Sequence, residues 1–236
     1  MYTVGIDTSS PLGSVALLRD GELIAESHAR VQAKHGETLL SHLEHVLGEG
    51  AIGIRDLDLI AIGAGPGSFT GLRVGVATAK GLAFAANIPI VGVNSLQAVA
   101  CGMPKGLQLV LTDAYKSEVY AAGFGPSVEE AEPWFSLRHG SIADVVSQAA
   151  ELLNGEAVTV AGSGCRRYAE QLIPALPSAW TLVGEEYDEP HARHVASLGR
   201  ARFLRDGRDS VSDLEPLYVR PSDAKLPGGV TLVRES

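Results

Sequence analysis

The chain has 236 residues, enough for a sizeable core in one large domain or in two lobes. Its composition is 45% hydrophobic and 20% charged, ordinary for a folded globular protein, which argues against disorder outside the ends. The formal net charge of −9 disfavours a free-standing nucleic-acid binder, which usually carries a basic face, but leaves room for a partner that itself holds the nucleic acid.

The opening MYTVGID reads as a strand and lacks the basic and apolar regions of a signal peptide. Residues 3–6 form a first strand ending at Asp7, and residues 14–18 a second. Asp20-Gly21 is a strong turn signal, after which residues 22–26 return as a third strand. Residues 35–49 have helical spacing, with Leu39, Leu40, Leu43, Val46 and Leu47 on one stripe. Residues 57–62 read as a buried strand, followed by a glycine-rich loop over 63–71. Thr70 is placed to N-cap a helix running to about Ala86, and residues 88–93 form the next strand. Lys80, Asn87 and Pro89 interrupt the most apolar run, over 74–93, so it does not read as a membrane span.

After about Cys101 the pattern restarts. Strands are expected over 107–113 and 118–124 with a turn between them, then at 134–137. A helix over 141–153, a strand over 157–161, a helix at about 166–173, a strand over 181–183 and a helix over 191–205 complete the regular elements. The tail over 216–236 carries Pro221 and Pro227-Gly228-Gly229 and is expected to be extended. The repeated order, antiparallel strands and then alternating helices and strands, implies an α/β fold of two similar lobes, each with a mixed sheet flanked by helices. The first lobe spans 1–102, completed by the helix at about 191–206, and the second spans 103–190.

Three groups of residues could carry chemistry. Asp7, Thr8 and Ser9 stand at a strand end, where free backbone N–H groups receive an anion and a carboxylate holds a metal-bound phosphate; the plainer reading is a turn capped by its own side chains. Gly65, Gly67, Ser68 and Thr70 lie between a buried strand and a helix N-terminus, a position that favours phosphate, although the spacing is neither a Walker loop nor a dinucleotide fingerprint. Gly71, Gly75, Ala79 and Ala83 recur every fourth residue beside an apolar stripe of Leu72, Val76 and Phe84. This small-residue ridge suits close packing within the domain or a helix of a second protein. His35, His42 and His45 lie on or near the first long helix without a zinc-protease spacing, so a solvated or interface face is the plainer reading, as it is for His191 and His194. Cys101 and Cys165 are too far apart for a CxxC motif. Gly162-Ser163-Gly164 lacks the flanking pattern of a nucleophile elbow.

Taken together, IDTSS…GSVAL, HGETLLSHLEHVL, GPGSFTGLRVGVATAKGLA, IVGVNSL, TDAYKSEVY and EPLYVRPSDAKLP resemble the bacterial TsaB (YeaZ) family nearly end to end. The resemblance implies an actin/Hsp70-like (ASKHA) fold and a cytoplasmic role in making threonylcarbamoyladenosine in tRNA. It also implies a heterodimer with the paralogue TsaD, which transfers the threonylcarbamoyl group, and association with the ATPase TsaE, so that tRNA is met through the complex. The family pairs through its first two helices, which makes His35, His42, Gly71, Leu72, Gly75, Val76 and Ala79 interface candidates, with a homodimer through the same surface when TsaD is absent. TsaD-like proteins carry a metal-binding histidine pair after the strand that follows the glycine-rich helix. Here Ser95 and Val99 stand at those positions, and neither suits the metal. The chain is therefore expected to be non-catalytic, without metal or cofactor of its own, ATP or ADP entering with the complex. The alternatives are an ATP-dependent phosphotransferase or ATPase of the same fold and, with less support, a metallopeptidase.

Overall fold

A computed structural model describes residues 1–30, 35–128 and 132–219, without the side chains of 35–37; the expected tail beyond 219 lies outside the described residues. The chain opens with a meander of β1 (Tyr2–Asp7), β2 (Leu12–Arg19) and β3 (Glu22–Arg30). The β2–β3 turn places Asp20 at φ 54° and Gly21 at φ 94°, left-handed values that Asp and Gly accept in two-residue hairpins. Then come α1 (His35–Glu49), β4 (Leu59–Gly65), α2 (Phe69–Ala86), β5 (Ile90–Asn94) and α3 (Ser95–Gly102). The sheet order is β3-β2-β1-β4-β5, with β4 parallel to both β1 and β5.

The second lobe repeats this plan. β6 (Leu107–Asp113), β7 (Glu118–Phe124) and β8 (Phe135–Ser141) form a meander, followed by α4 (Ile142–Glu151), β9 (Val158–Ala161), α5 (Ser163–Arg167), α6 (Ala169–Ala175) and β10 (Trp180–Leu182). Its order, β10-β9-β6-β7-β8, is the first order read from the other edge. The last helix, α7 (Ala192–Asp206), returns to pack on β1, β2 and β4. One buried cluster joins Ala61 and Val93 of the first sheet, Leu96 and Val99 of α3, Val195 and Leu198 of α7, and Val110 and Ala122 of the second sheet. The lobes therefore share a core. Among the described residues, no helix is long and apolar enough to cross a membrane.

Two local expectations are corrected, and one element is added. α2 is capped by Ser68, whose Oγ accepts from the Gly71 N–H at 3.3 Å, while Thr70 sits exposed in the first turn. The helix expected at about 166–173 is two short helices broken at Tyr168. α3 was not anticipated: Asn94 ends β5 and caps α3 at once, its Oδ1 accepting from the N–H groups of Leu96 (2.9 Å) and Gln97 (3.3 Å).

α2 lies against the end of β1 at unusually short range. The Thr8 hydroxyl donates to the Gly71 carbonyl at 2.8 Å. A Cβ on Gly71 would meet the Thr8 carbonyl at 2.0 Å, and one on Gly75 would meet Thr8 Oγ1 at 2.1 Å. Gly71→Ala should therefore destabilise the chain by about 1–3 kcal/mol through overpacking against backbone. Gly48→Ala, in α1 where a Cβ has nothing within 4 Å, should instead stabilise it by about 0.5–1 kcal/mol. Urea unfolding of the two variants checks both signs.

Candidate functional site

A cleft of about 410 Å³ separates the lobes. The first lobe lines it with Ser9 and Ser10 after β1, the Pro66–Ser68 loop before α2, and Ser95. The second lobe contributes Asp113 at the end of β6, Tyr115, Ser163 and the two arginines of α5, with Glu189 and Pro190 ahead of α7. A volume of this order suits a small polar ligand.

Asp7, the carboxylate that the sequence pointed to, lies beneath this surface, fully buried. Its Oδ1 accepts from the Ser9 N–H (2.8 Å) and the Ser9 hydroxyl (2.7 Å). Its Oδ2 accepts from the Ser95 hydroxyl (3.0 Å), which in turn accepts from the Gly65 N–H at 3.3 Å. Ser9 and Ser95 thus stand between the carboxylate and the cleft. Burial pushes the Asp7 pKa up to about 6 against the lowering effect of these hydrogen bonds.

The nearby turn is tied in part from within. The Ser9 N–H is held by Asp7, the Leu12 N–H donates to Ser10 Oγ at 3.1 Å, and Pro11 has none to offer. The glycine-rich loop folds onto the same turn, the Ser68 N–H donating to the Ser9 carbonyl at 2.6 Å. Gly65, Gly67 and Ser68 are therefore brought beside Asp7, Thr8 and Ser9, whereas Thr70 is exposed at the start of α2 and does not line the cleft.

Asp113 ends the first strand of its lobe as Asp7 does, and it too accepts the N–H two residues on, from Tyr115 at 2.9 Å. It also accepts from the Tyr168 hydroxyl (2.8 Å) and pairs with Arg167 (3.3 Å). Arg166 pairs with Asp188 at 3.1 Å, and the Asp188 and Glu189 carboxyls are both raised by desolvation. Each cleft arginine is thus matched by a carboxylate, and Glu189 adds another, so the cleft holds no surplus of positive charge for a polyphosphate. Sequence reading passed over Asp113, Arg166, Arg167 and Glu189, although the place of Asp113 at a first-strand end was a usable signal.

The partner-face candidates divide. Gly71, Leu72, Gly75, Val76 and Ala79 are all buried, turned onto the sheet, so the ridge packs within the lobe and cannot itself be a contact surface. His42 is half-buried, with Nδ1 at 2.7 Å from Ser27 Oγ and its pKa lowered by desolvation. His35 lies in α1 with its side chain outside the described residues. Among the described residues, no group of three or more His, Cys, Asp or Glu is arranged to hold a metal ion. The outward stripe of α2 is Phe69, Arg73, Ala77, Gly81 and Phe84, and Phe84 is 83% exposed.

Because Asp7 holds its proton more tightly folded than unfolded, its contribution to stability is full below the ordinary carboxylate range and lost as pH rises through about 6. Asp7→Asn should therefore stabilise the chain by about 3 kcal/mol at about pH 8, and the gain should vanish by about pH 4. Urea midpoints at the two pH values provide the measurement.

Residues 26–177 match the family model described as TsaD, tRNA N6-adenosine threonylcarbamoyltransferase. The chain is 31% identical to the tRNA threonylcarbamoyladenosine biosynthesis protein TsaB of Escherichia coli, across 97% of this chain and 99% of that one. A crystal structure from Pseudomonas aeruginosa, of a protein with similarity to peptidase YeaZ, superposes with a TM-score of 0.78 at 26% identity, covering 93% of this chain and 99% of the other. A ROK hexokinase from Thermus thermophilus shares the fold at a TM-score of 0.53 and 13% identity, over 88% of this chain and 100% of that one. The two-lobed architecture is accordingly the actin/Hsp70-like one. With one model spanning most of its length and a TsaB relative aligned nearly end to end, the chain belongs to the TsaB family of tRNA threonylcarbamoyladenosine biosynthesis proteins.

Proposed function

We propose that this chain is the non-catalytic partner of a TsaD-type transferase, supporting, with TsaE, the transfer of threonylcarbamoyl to the adenosine beside the anticodon of tRNA. The observation that carries this reading is the state of Ser95 and Val99, the positions where the resemblance places the transferase's histidine pair. The Ser95 hydroxyl is committed to Asp7 and Gly65, and Val99 is 2% exposed within the shared core. Neither can ligate a metal from there. The cleft supports the same reading, since two N–H groups of its first turn are taken up within the chain and its arginines are matched by carboxylates. No nucleotide is assigned to the isolated chain; ATP or ADP belongs to the assembled complex. The net charge of −9 fits a subunit that meets tRNA through its partners in the cytoplasm.

The partner surface on this reading is the outer side of α1 and α2. On α2 it runs through Ala77, Gly81 and Phe84. A Cβ on Gly81 would have nothing within 4 Å, so no contact among the described residues explains a glycine in mid-helix, at a helix-propensity cost of about 1 kcal/mol. Close approach by a partner helix accounts for it, and Phe84 supplies an anchor of the kind that dominates such contacts. The same surface would pair two copies of this chain when TsaD is absent.

Reconstitution tests the reading. The purified chain alone should form no threonylcarbamoyladenosine, and it should restore synthesis when added to TsaD, TsaE and the adenylate-forming enzyme. Full activity of that mixture without it would sink the proposal. Phe84→Asp should leave the fold intact, because the side chain is exposed, and weaken TsaD binding by at least about tenfold in calorimetry. Titration of the isolated chain with ATP and Mg²⁺ should give no tight binding; a tight complex would favour the phosphotransferase reading.

A further inference from the structure

The N-terminal end of the α2 stripe is built with help from the far end of the chain. After α7, residues 207–219 run back across the first lobe as a strap. The Asp209 N–H donates to the Ile90 carbonyl at 2.9 Å, and Asp209 Oδ2 accepts from the Gly92 N–H at 2.8 Å, so the strap closes the edge of β5. Arg202 holds Asp209 through both carboxylate oxygens, at 2.6 and 2.9 Å. Lys80 donates from α2 to the carbonyls of Ser212 (3.1 Å) and Leu214 (3.0 Å). The Leu217 N–H donates to the Ala64 carbonyl at 2.7 Å. These bonds fix the position of the next residue, Tyr218.

Tyr218 meets Phe69 with ring centroids 5.2 Å apart. The Arg73 guanidinium lies over the Phe69 ring, 3.8 Å from its centroid, and its Nε donates to the Tyr218 hydroxyl at 3.1 Å. Arg73 is exposed, and among the described residues it forms no ion pair and no other side-chain hydrogen bond. A long side chain that would otherwise move freely is thus held by stacking and by one nitrogen, and among the described residues its two terminal nitrogens have no hydrogen-bond partner. That is a fork prepared for two parallel bonds to a planar anion.

We propose that Arg73, held by Phe69 and Tyr218, is a specificity anchor that receives a carboxylate of the TsaD-type partner through both terminal nitrogens. This rests on the partner face proposed above and adds one polar fixed point to an otherwise apolar stripe. A protein carboxylate is favoured over a nucleic-acid phosphate by the surroundings. The rest of the stripe is Ala77, Gly81 and Phe84, which offer a helix small and apolar contacts and offer a phosphate backbone nothing. The other cation of α2, Lys80, is already bonded to the strap, and the chain's net charge is −9. A lone guanidinium beside apolar surface matches one acidic side chain on a protein, whereas phosphate binding recruits several cations. The C-terminal strap acquires a role from this: it orients the anchor, which a tail serving only as a linker would not do.

Calorimetry with the full chain and its cognate TsaD tests the proposal, using Arg73→Gln, Arg73→Lys, Tyr218→Phe and Phe84→Asp. Arg73→Gln should weaken binding by about tenfold or more, and Arg73→Lys should recover only part of the loss, because an ammonium cannot fork. Tyr218→Phe, which removes only the hydroxyl, should weaken it by about threefold. The wild-type affinity should fall with added salt more steeply than that of Arg73→Gln. If Arg73→Gln binds within about twofold of wild type while Phe84→Asp abolishes binding, the anchor is wrong and the face stands. If Phe84→Asp also binds normally, the face falls, and the anchor with it. If Arg73→Gln pairs normally but the assembled complex captures tRNA less tightly, the fork serves a phosphate and the carboxylate assignment is overturned.

Discussion

The contact on which the most else depends is that of α2 with Thr8. The helix can lie on the end of β1 only because Gly71 and Gly75 carry no side chain, and the Thr8 hydroxyl closes the contact on the Gly71 carbonyl. From this seat the rest of the first lobe takes its shape. The Gly65–Ser68 turn is drawn down onto the Ser9 carbonyl, Ser95 reaches both Asp7 and Gly65, and Asp7 is sealed. The small-residue face of α2 is consumed by the sheet. The face left to the outside is the opposite one.

That geometry explains why the sequence told part of the story. α2 has two stripes of four-residue spacing that include small residues: Gly71, Gly75, Ala79 and Ala83 on one side, Ala77, Gly81 and Ala85 on the other. Periodicity finds both and does not say which meets the sheet, because an alanine or glycine costs little on either side. The inward stripe was legible as a ridge, and Leu72 and Val76 beside it as apolar, but Phe84, read as part of that same stripe, stands outward at 83% exposed. That these residues are wholly buried, and so cannot touch a partner, needed the Thr8 contact, which spans 63 positions in the chain.

Elsewhere the strong local signals carried well. α1, β6 and β7 have the bounds their patterns suggest, since each is a run of clear period ending at a turn. α3 was hidden by brevity: eight residues starting directly at a strand end, where Asn94 serves both elements. Ser68 was passed over as a cap because Thr70 lies in the same short loop and has the same chemistry; only the backbone decides between them. The strap was invisible for another reason. Most of its bonds join residues 209–218 to positions more than a hundred residues earlier, and a pairing at that range leaves no local periodicity to read.

The cleft carries the same device in both lobes. Each lobe ends its first strand in an aspartate, and each aspartate binds the N–H two residues on. This is a structural service, tying each turn to its strand, and it holds with or without a ligand. In a phosphate site the remaining N–H groups of the turn would stay open to the cleft. Here Ser9, Leu12 and Ser68 have each given theirs to groups inside the chain. Ser9, together with Ser95, also covers Asp7. Ser9 thus both ties the turn to its strand and helps seal the carboxylate, so closing the turn and burying Asp7 share one residue, which also receives the glycine-rich loop.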